Sequence, residues 1–132
     1  MLLRDARENS CLVAASDGGV EAVSVWKASA AEIEVMWLVV RRDWRRCGLG
    51  RSLLEAIEER AAGRRVMVVK TADPDQLPQD ERLTAANFEG AVRFFVAMGF
   101  EVVARIRDYW GPGNGGVIAV KRLWNRNGQG RH

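Results

Sequence analysis

Val35-Met36-Trp37-Leu38-Val39-Val40 is followed, four residues further on, by Arg45-Arg46-Cys47-Gly48-Leu49-Gly50-Arg51-Ser52. The first stretch is a continuous apolar run of strand length. Beyond the second, Leu53, Leu54, Ile57 and Ala61 recur at three- and four-residue spacing, the mark of a helix with one apolar face. The segment therefore reads as strand, tight basic glycine turn, helix. The first N–H groups of a helix have no partner within it, and they lie at its positive dipole end. Glycine lets a phosphate approach that backbone closely, and Arg45, Arg46 and Arg51 add charge. A phosphate or diphosphate is the ligand this arrangement suits.

Two common phosphate loops do not fit. A nucleotide P-loop needs Gly-x-x-x-x-Gly-Lys-Ser/Thr, and no Lys stands here. A dinucleotide fingerprint needs a glycine three residues after Gly50, and that residue is Leu53. The pattern of an apolar strand ending in Val40, followed by Arg45-x-x-Gly48-x-Gly50, resembles the acyl-CoA diphosphate turn of the GNAT family of N-acetyltransferases. Phe88-Glu89-Gly90-Ala91-Val92-Arg93-Phe94-Phe95-Val96-Ala97-Met98-Gly99-Phe100 is similar to a second helix of that family, with Gly99 as its stop and Phe100 opening the next strand. Arg107-Asp108-Tyr109-Trp110-Gly111-Pro112-Gly113 resembles the turn before the last strand in one subgroup. The resemblance covers about residues 32–122.

The rest of the chain is compatible with it. The chain has 132 residues, 48% apolar and 28% charged, enough for one domain with a single core over residues 1–124. Residues 125–132 read as a frayed polar tail. No apolar run reaches membrane-spanning length, and the N-terminus is too short and charged for a signal peptide. Cys11 and Cys47 lack metal spacing and read as free thiols of a cytoplasmic protein. The net charge is +3, and 20 − 3 = 17 cations are arginine, the others being Lys27, Lys70 and Lys121. No dense basic block with interleaved aromatics accompanies them, which argues against nucleic acid. The only histidine, His132, ends the chain, so a Ser/His/Asp nucleophile system and a His-based metal site both lack their material.

Residues 11–16 and 20–27 alternate around Asp17-Gly18-Gly19 and predict a hairpin. Further strands are expected at 32–40, 66–69, 100–107 and 117–123, with helices at 50–62 and 88–98 and a loop over 71–86. This is an α/β (α+β) chain, and the resemblance implies the acyl-CoA N-acyltransferase fold, a mixed, mostly antiparallel sheet flanked by helices. Family members usually begin with another strand and one or two helices. Only about ten residues precede the first expected strand here, so the resemblance implies a shortened N-terminus and an acceptor side left open or completed by a second subunit, as in a homodimer.

Further roles are implied by the resemblance. Acetyl-CoA is the acyl donor, an amine of a small molecule or protein the acceptor, and no metal or membrane takes part. The pantetheine arm pairs with the backbone of Leu38, Val39 and Val40. The diphosphate sits on Arg45, Arg46, Cys47, Gly48, Leu49, Gly50, Arg51 and Ser52. Asn87 and Phe94 of the second helix complete the donor site. An attacking amine must lose its proton, since a lysine-like amine has a pKa of about 10.4. Glu34, then Glu32, on the strand entering the site are the candidate bases, the alternative being two surface carboxylates. Where the family usually has a Tyr beside the departing sulfur, this chain has Phe95. A thiol of pKa about 8.5 leaving as thiolate at pH 7 costs roughly 2 kcal/mol, a survivable loss. Tyr109, the only tyrosine, is either a substitute hydroxyl or a packing residue. Two readings stay open: an acetyl-CoA-dependent N-acetyltransferase and a non-catalytic acyl-CoA-binding module.

Overall fold

The structure, a computed structural model, describes residues 2–7, 11–16, 19–40, 48–61, 63–77 and 85–123. Among them the chain forms strands β1 (Leu2–Arg7), β2 (Cys11–Ser16), β3 (Gly19–Ala28) and β4 (Glu32–Val40), helix α1 (Leu49–Arg60), strand β5 (Val66–Ala72), helix α2 (Ala85–Ala97), and strands β6 (Glu101–Gly111) and β7 (Asn114–Arg122). The strands are mostly antiparallel and are flanked by helices, the mixed sheet that the resemblance implies. The chain divides into two compact units, residues 1–67 with 123–132, and residues 68–122. The tail at 125–132 lies outside the described residues.

The first unit is an antiparallel meander in the order β1-β2-β3-β4, with α1 against β2, β3 and β4. Alternate strand residues supply one face of its core: Ala14, Ala22, Ser24, Trp26, Ile33 and Val35 are all buried. Leu49, Leu53, Leu54, Ile57 and Ala61 supply the helix side, at the spacing that groups them on one stripe. Leu53 and Ile57 are wholly enclosed, each contributing roughly 1.5–3 kcal/mol by burial. Strand β1 corrects the expectation that strands begin at Cys11. Leu2-Leu3-Arg4-Asp5-Ala6-Arg7 has no period-two alternation to announce it, yet it pairs with β2 in the register Leu3↔Ala14. Three residues join β1 to β2.

In the second unit the order is β5-β7-β6, with α2 against β6. Val68, Val69, Phe95, Phe100, Val117 and Ala119 are its buried apolar residues. The Phe95 ring meets Phe94 and Phe100 edge-to-face at 5.3 and 5.4 Å, worth about 0.5–1.5 kcal/mol each. Gly99, at φ 97°, ends α2 in the left-handed conformation that suits a residue without Cβ. Several elements run longer than the periodicity predicts. β5 continues to Ala72, α2 begins at Ala85, and β6 and β7 extend to a two-residue turn at Pro112-Gly113. The extra reach comes from the neighbours: Trp110 Nε1 donates to Thr71 O (3.3 Å) and Asp73 N to Gly115 O (2.9 Å).

Candidate donor and acceptor site

The strand–turn–helix segment is built as its sequence requires. Gly48 is the N-cap of α1, at φ 83° and ψ 5°, and nothing lies within 4 Å of where a Cβ would stand. The left-handed backbone is what demands glycine there, at a cost of about 1–2 kcal/mol for other residues. The first intrahelical bond runs from Ser52 N to Gly48 O (3.0 Å), and the Ser52 hydroxyl donates to the same oxygen (3.0 Å). The N–H groups of Leu49, Gly50 and Arg51 thus precede the helical ladder and face an anion-binding end. The first turn holds no acidic residue to compete for them, and Arg51 is exposed beside them. Ser52 is committed to its own turn, so its hydroxyl serves the cap. Gly50 has ordinary helical geometry, so its lack of a side chain, rather than its φ, is what it offers. Arg45, Arg46 and Cys47 lie outside the described residues.

β4 holds a feature that the sequence hides. Val25 pairs with Trp37 and Trp26 with Val35, so Met36 has no partner on β3. This β-bulge adds one residue to β4 and reverses the alternation beyond it. Plain alternation groups Glu32, Glu34, Met36, Leu38 and Val40 on one face. In the paired register Glu34 lies opposite Lys27 and Val39 opposite Val23, both on the face away from α1, while Leu38 and Val40 share the side of Ser24 and Ala22. Glu34 and Val39, an odd number of residues apart, are thereby placed on one face. Val39 is 52% exposed there. Bulges re-aim backbone groups as well as side chains, and they concentrate beside active sites.

Glu34 is half-buried and is engaged in an interaction, and Lys27 is its cross-strand neighbour. Glu32 is exposed at the head of β4, where its backbone closes the turn with Ser29 (Ser29 N to Glu32 O, 2.9 Å). About 20 Å of extended strand separates Glu34 from Val40, so the two candidate residues stand toward opposite ends of β4. A residue that the sequence reading passed over is Glu21. It has no partner on β2, a second bulge, and its carboxylate is buried at 2% exposure and engaged in an interaction. Its sequence setting, Val20-Glu21-Ala22-Val23, gives no sign of this burial, because regular alternation would place it with the half-exposed Val23.

In the second unit Phe95 is 7% exposed and packed among aromatic rings, while Phe94 is half-buried. The backbone of Asn87 is in the first turns of α2, and its side chain lies outside the described set. Tyr109 sits in an irregular stretch. Ile106 pairs with Gly116 and Gly111 with Asn114, so four residues, 107–110, stand against one. Asp108 adopts φ 55°, and the stretch is fastened by Asp108 N to Gln76 Oε1 (2.8 Å) and Gly113 N to Asp108 Oδ1 (2.8 Å). The Tyr109 ring covers Gly116, where a Cβ would come within 2.8 Å of it, and meets Trp110 edge-to-face at 4.8 Å. Tyr109 is nevertheless 37% exposed. In the acidic loop, Asp73 is buried and receives Arg105 Nη1 at 2.7 Å and Asp75 N at 3.0 Å. Its charge is spent on structure. Among the described residues no group of acidic, Cys or His side chains could hold a metal, and no helix is long and apolar enough to cross a membrane.

The bulged β4, the left-handed Gly48 cap and the acid-free N-terminus of α1 belong to an α/β fold with an anion-accepting helix end. The model of the GNAT acetyltransferase domain matches residues 7–102, which is 96 of 132 residues. The chain belongs to the GNAT acetyltransferase family. Its fold is shared with Ard1 from Thermoplasma volcanium (21% identity, 88% of this chain and 72% of that one, TM-score 0.67). It is also shared with an aminoglycoside 6'-N-acetyltransferase in complex with coenzyme A (17% identity, 88% and 73%, TM-score 0.69). A GNAT acetyltransferase from Elizabethkingia anophelis with acetyl-CoA bound is similar too (13% identity, 86% and 75%, TM-score 0.67). No protein of curated function matches the sequence.

Proposed function

We propose that this protein transfers an acetyl group from acetyl-CoA to an amine by direct attack, in the cytoplasm and without a metal. The observation that carries the reading is the open, acid-free N-terminus of α1 behind the left-handed Gly48 cap, at the end of a bulged β4. The coenzyme A complexes among the fold's neighbours support a CoA donor. In this reading the diphosphate takes the N–H groups of Leu49, Gly50 and Arg51, with Arg45, Arg46 and Cys47 in the preceding turn. The pantetheine arm adds to β4 along Leu38, Val39 and Val40 as a strand would. One of those N–H groups polarises the thioester carbonyl as oxyanion donor. Asn87 and Phe94 line the donor. Glu34, backed by Glu32, takes the acceptor's proton, directly or through water. The amine then attacks the carbonyl carbon, the C–S bond breaks, and the thiolate leaves to be protonated by solvent, since Phe95 carries no hydroxyl. The acceptor is a small molecule or a protein, and a second copy of the chain completes the assembly as a homodimer.

The alternative, a non-catalytic acyl-CoA-binding module, draws on one specific feature: Phe95 is buried at the position where the resemblance implies a Tyr. Thiol release from acetyl-CoA with a panel of amines decides between them. Turnover with any amine above the hydrolysis background supports the transferase. Tight CoA binding with no transfer to the whole panel favours the binding module.

A further inference from the structure

The face of the first unit away from α1 carries a charge pattern that the acetyl-transfer reading uses only in part. Along β3, Val23, Val25 and Lys27 alternate with the buried Ser24 and Trp26, so the three share that outer face. Pairing sets Val39 opposite Val23 and Glu34 opposite Lys27. The unpaired residue of this ladder, Met36, is on β4, so the alternation of β3 holds without a break from Val23 to Lys27. Val39 is exposed and Val23 and Val25 are half-buried. They form an apolar floor that ends in one cation and one carboxylate side by side. Glu32 lies two residues further toward the turn, away from that floor.

Directly opposed residues have Cβ atoms about 4.5–5.5 Å apart, close enough for Lys and Glu to close an ion pair. This pair stays open. Lys27 is exposed, and no carboxylate among the described residues, Glu34 included, stands within ion-pair distance of its ammonium. We infer that Lys27 is an acceptor-binding residue and that the acceptor is a zwitterionic amine, an α-amino acid with an apolar side chain. Its carboxylate meets Lys27, its amine meets Glu34, and its side chain lies on the valine floor. The inference names the acceptor class within the acetyl-transfer reading above and rests on it. The amine gives its proton to Glu34 and forms the C–N bond as the C–S bond breaks and the thiolate leaves. The N-acetyl product is an anion without a cation for Glu34, which favours its release. An amine lacking the carboxylate brings only a cation, which Lys27 repels across so short a gap.

The experiment uses the full chain and two matched pairs of probes, L-leucine against isoamylamine and L-phenylalanine against phenethylamine. The members of each pair differ only in the carboxylate. Transfer is read as thiol release from acetyl-CoA. Binding is read by calorimetric titration in the presence of CoA, so the site is tested independently of transfer. Each amino acid should show a KM and a Kd about five- to tenfold below those of its amine, the gain from one exposed charge-assisted contact. In proteins with native circular dichroism, Lys27→Gln should bring each pair to parity, Lys27→Arg should keep the order, and Lys27→Glu should reverse it. Amino acids that bind with this preference and receive no acetyl support the inference and count against the transfer reading. Transfer to both members of a pair with equal KM overturns the inference and leaves the transfer reading standing. The inference is also overturned by amino acids that fail to bind up to about 10 mM, well above the usual range of KM, or by a preference that Lys27→Gln leaves intact.

Discussion

Gly48 and Gly50 make a paired test, because the structure gives them different reasons to be glycine. Gly48 is left-handed, with open space around its missing Cβ. Replacing it with Ala meets no atom, and the cost is the backbone conformation alone, about 1–2 kcal/mol. The melting temperature should fall by roughly 2–8 °C. Gly50 is helical, so Gly50→Val carries no such strain and gains a few tenths of a kcal/mol of helix propensity. Its stability should stay level or rise. CoA binding should do the reverse. A diphosphate seated on the N–H groups of residues 49–51 makes charge-assisted hydrogen bonds worth about 1.5–3 kcal/mol each. A branched side chain at Gly50 keeps the phosphate from at least one of them, a loss of about 10- to 150-fold in affinity. Calorimetric titration of CoA, alongside thermal melts, reads both quantities. An unchanged dissociation constant in folded Gly50→Val would refute the reasoning, because close approach to that backbone is the whole basis of the donor site.

Three further outcomes follow from named contacts. Glu34→Gln should lower acetyl transfer near neutrality, with the loss shrinking as pH rises toward the amine's own pKa of about 10.4; CoA affinity should barely move, since the diphosphate end of β4 is about 20 Å away, and a rate equal to wild type from pH 6.5 to 9 (a window kept below that amine pKa) passes the role to Glu32 or water. Phe95→Tyr should raise turnover on a weak acceptor if thiolate departure limits the rate. An unchanged or lower rate in a folded, CoA-binding variant shows another proton source or another limiting step. Gly115→Ala should destabilise by about 1–3 kcal/mol, because the added Cβ would stand 2.5 Å from Gln76 Oε1, an oxygen already held by Asp108 N; an undiminished melting temperature would mean that this clasp contributes little.

What the sequence made legible was whatever one segment could specify by itself. The helix over Leu49–Arg60 is visible because Leu53, Leu54 and Ile57 bury one stripe, and Gly48 is visible because a turn of that shape needs glycine. Features set by pairing were not visible. β1 has no alternation of its own and exists because β2 offers an edge. The bulges at Glu21 and Met36 are differences in residue count between neighbouring strands, which no single strand records. Their effect on the site is large. A period-two reading of β4 sends Glu34 and Val39 to opposite faces, and one unpaired methionine brings them to the same one.

That bulge also bears on why a chain with so short a β1–β2 connection can still build the donor side. The helix-end part of the proposed diphosphate contact is local to residues 48–52: a left-handed cap, a hydroxyl turned back onto Gly48 O, and three N–H groups without helical partners. The thioester contact needs only β4, whose bulge is registered against β3. Neither depends on elements before β2. Val39 is exposed on the face where Glu34 stands. Donor recognition is therefore expected to have ordinary strength in this chain, and an acceptor side left open, as the resemblance implies, would give broad acceptor selectivity. A broad panel of amines of one charge type with similar kcat/KM across members would bear that out, and strict preference for one amine would refute it.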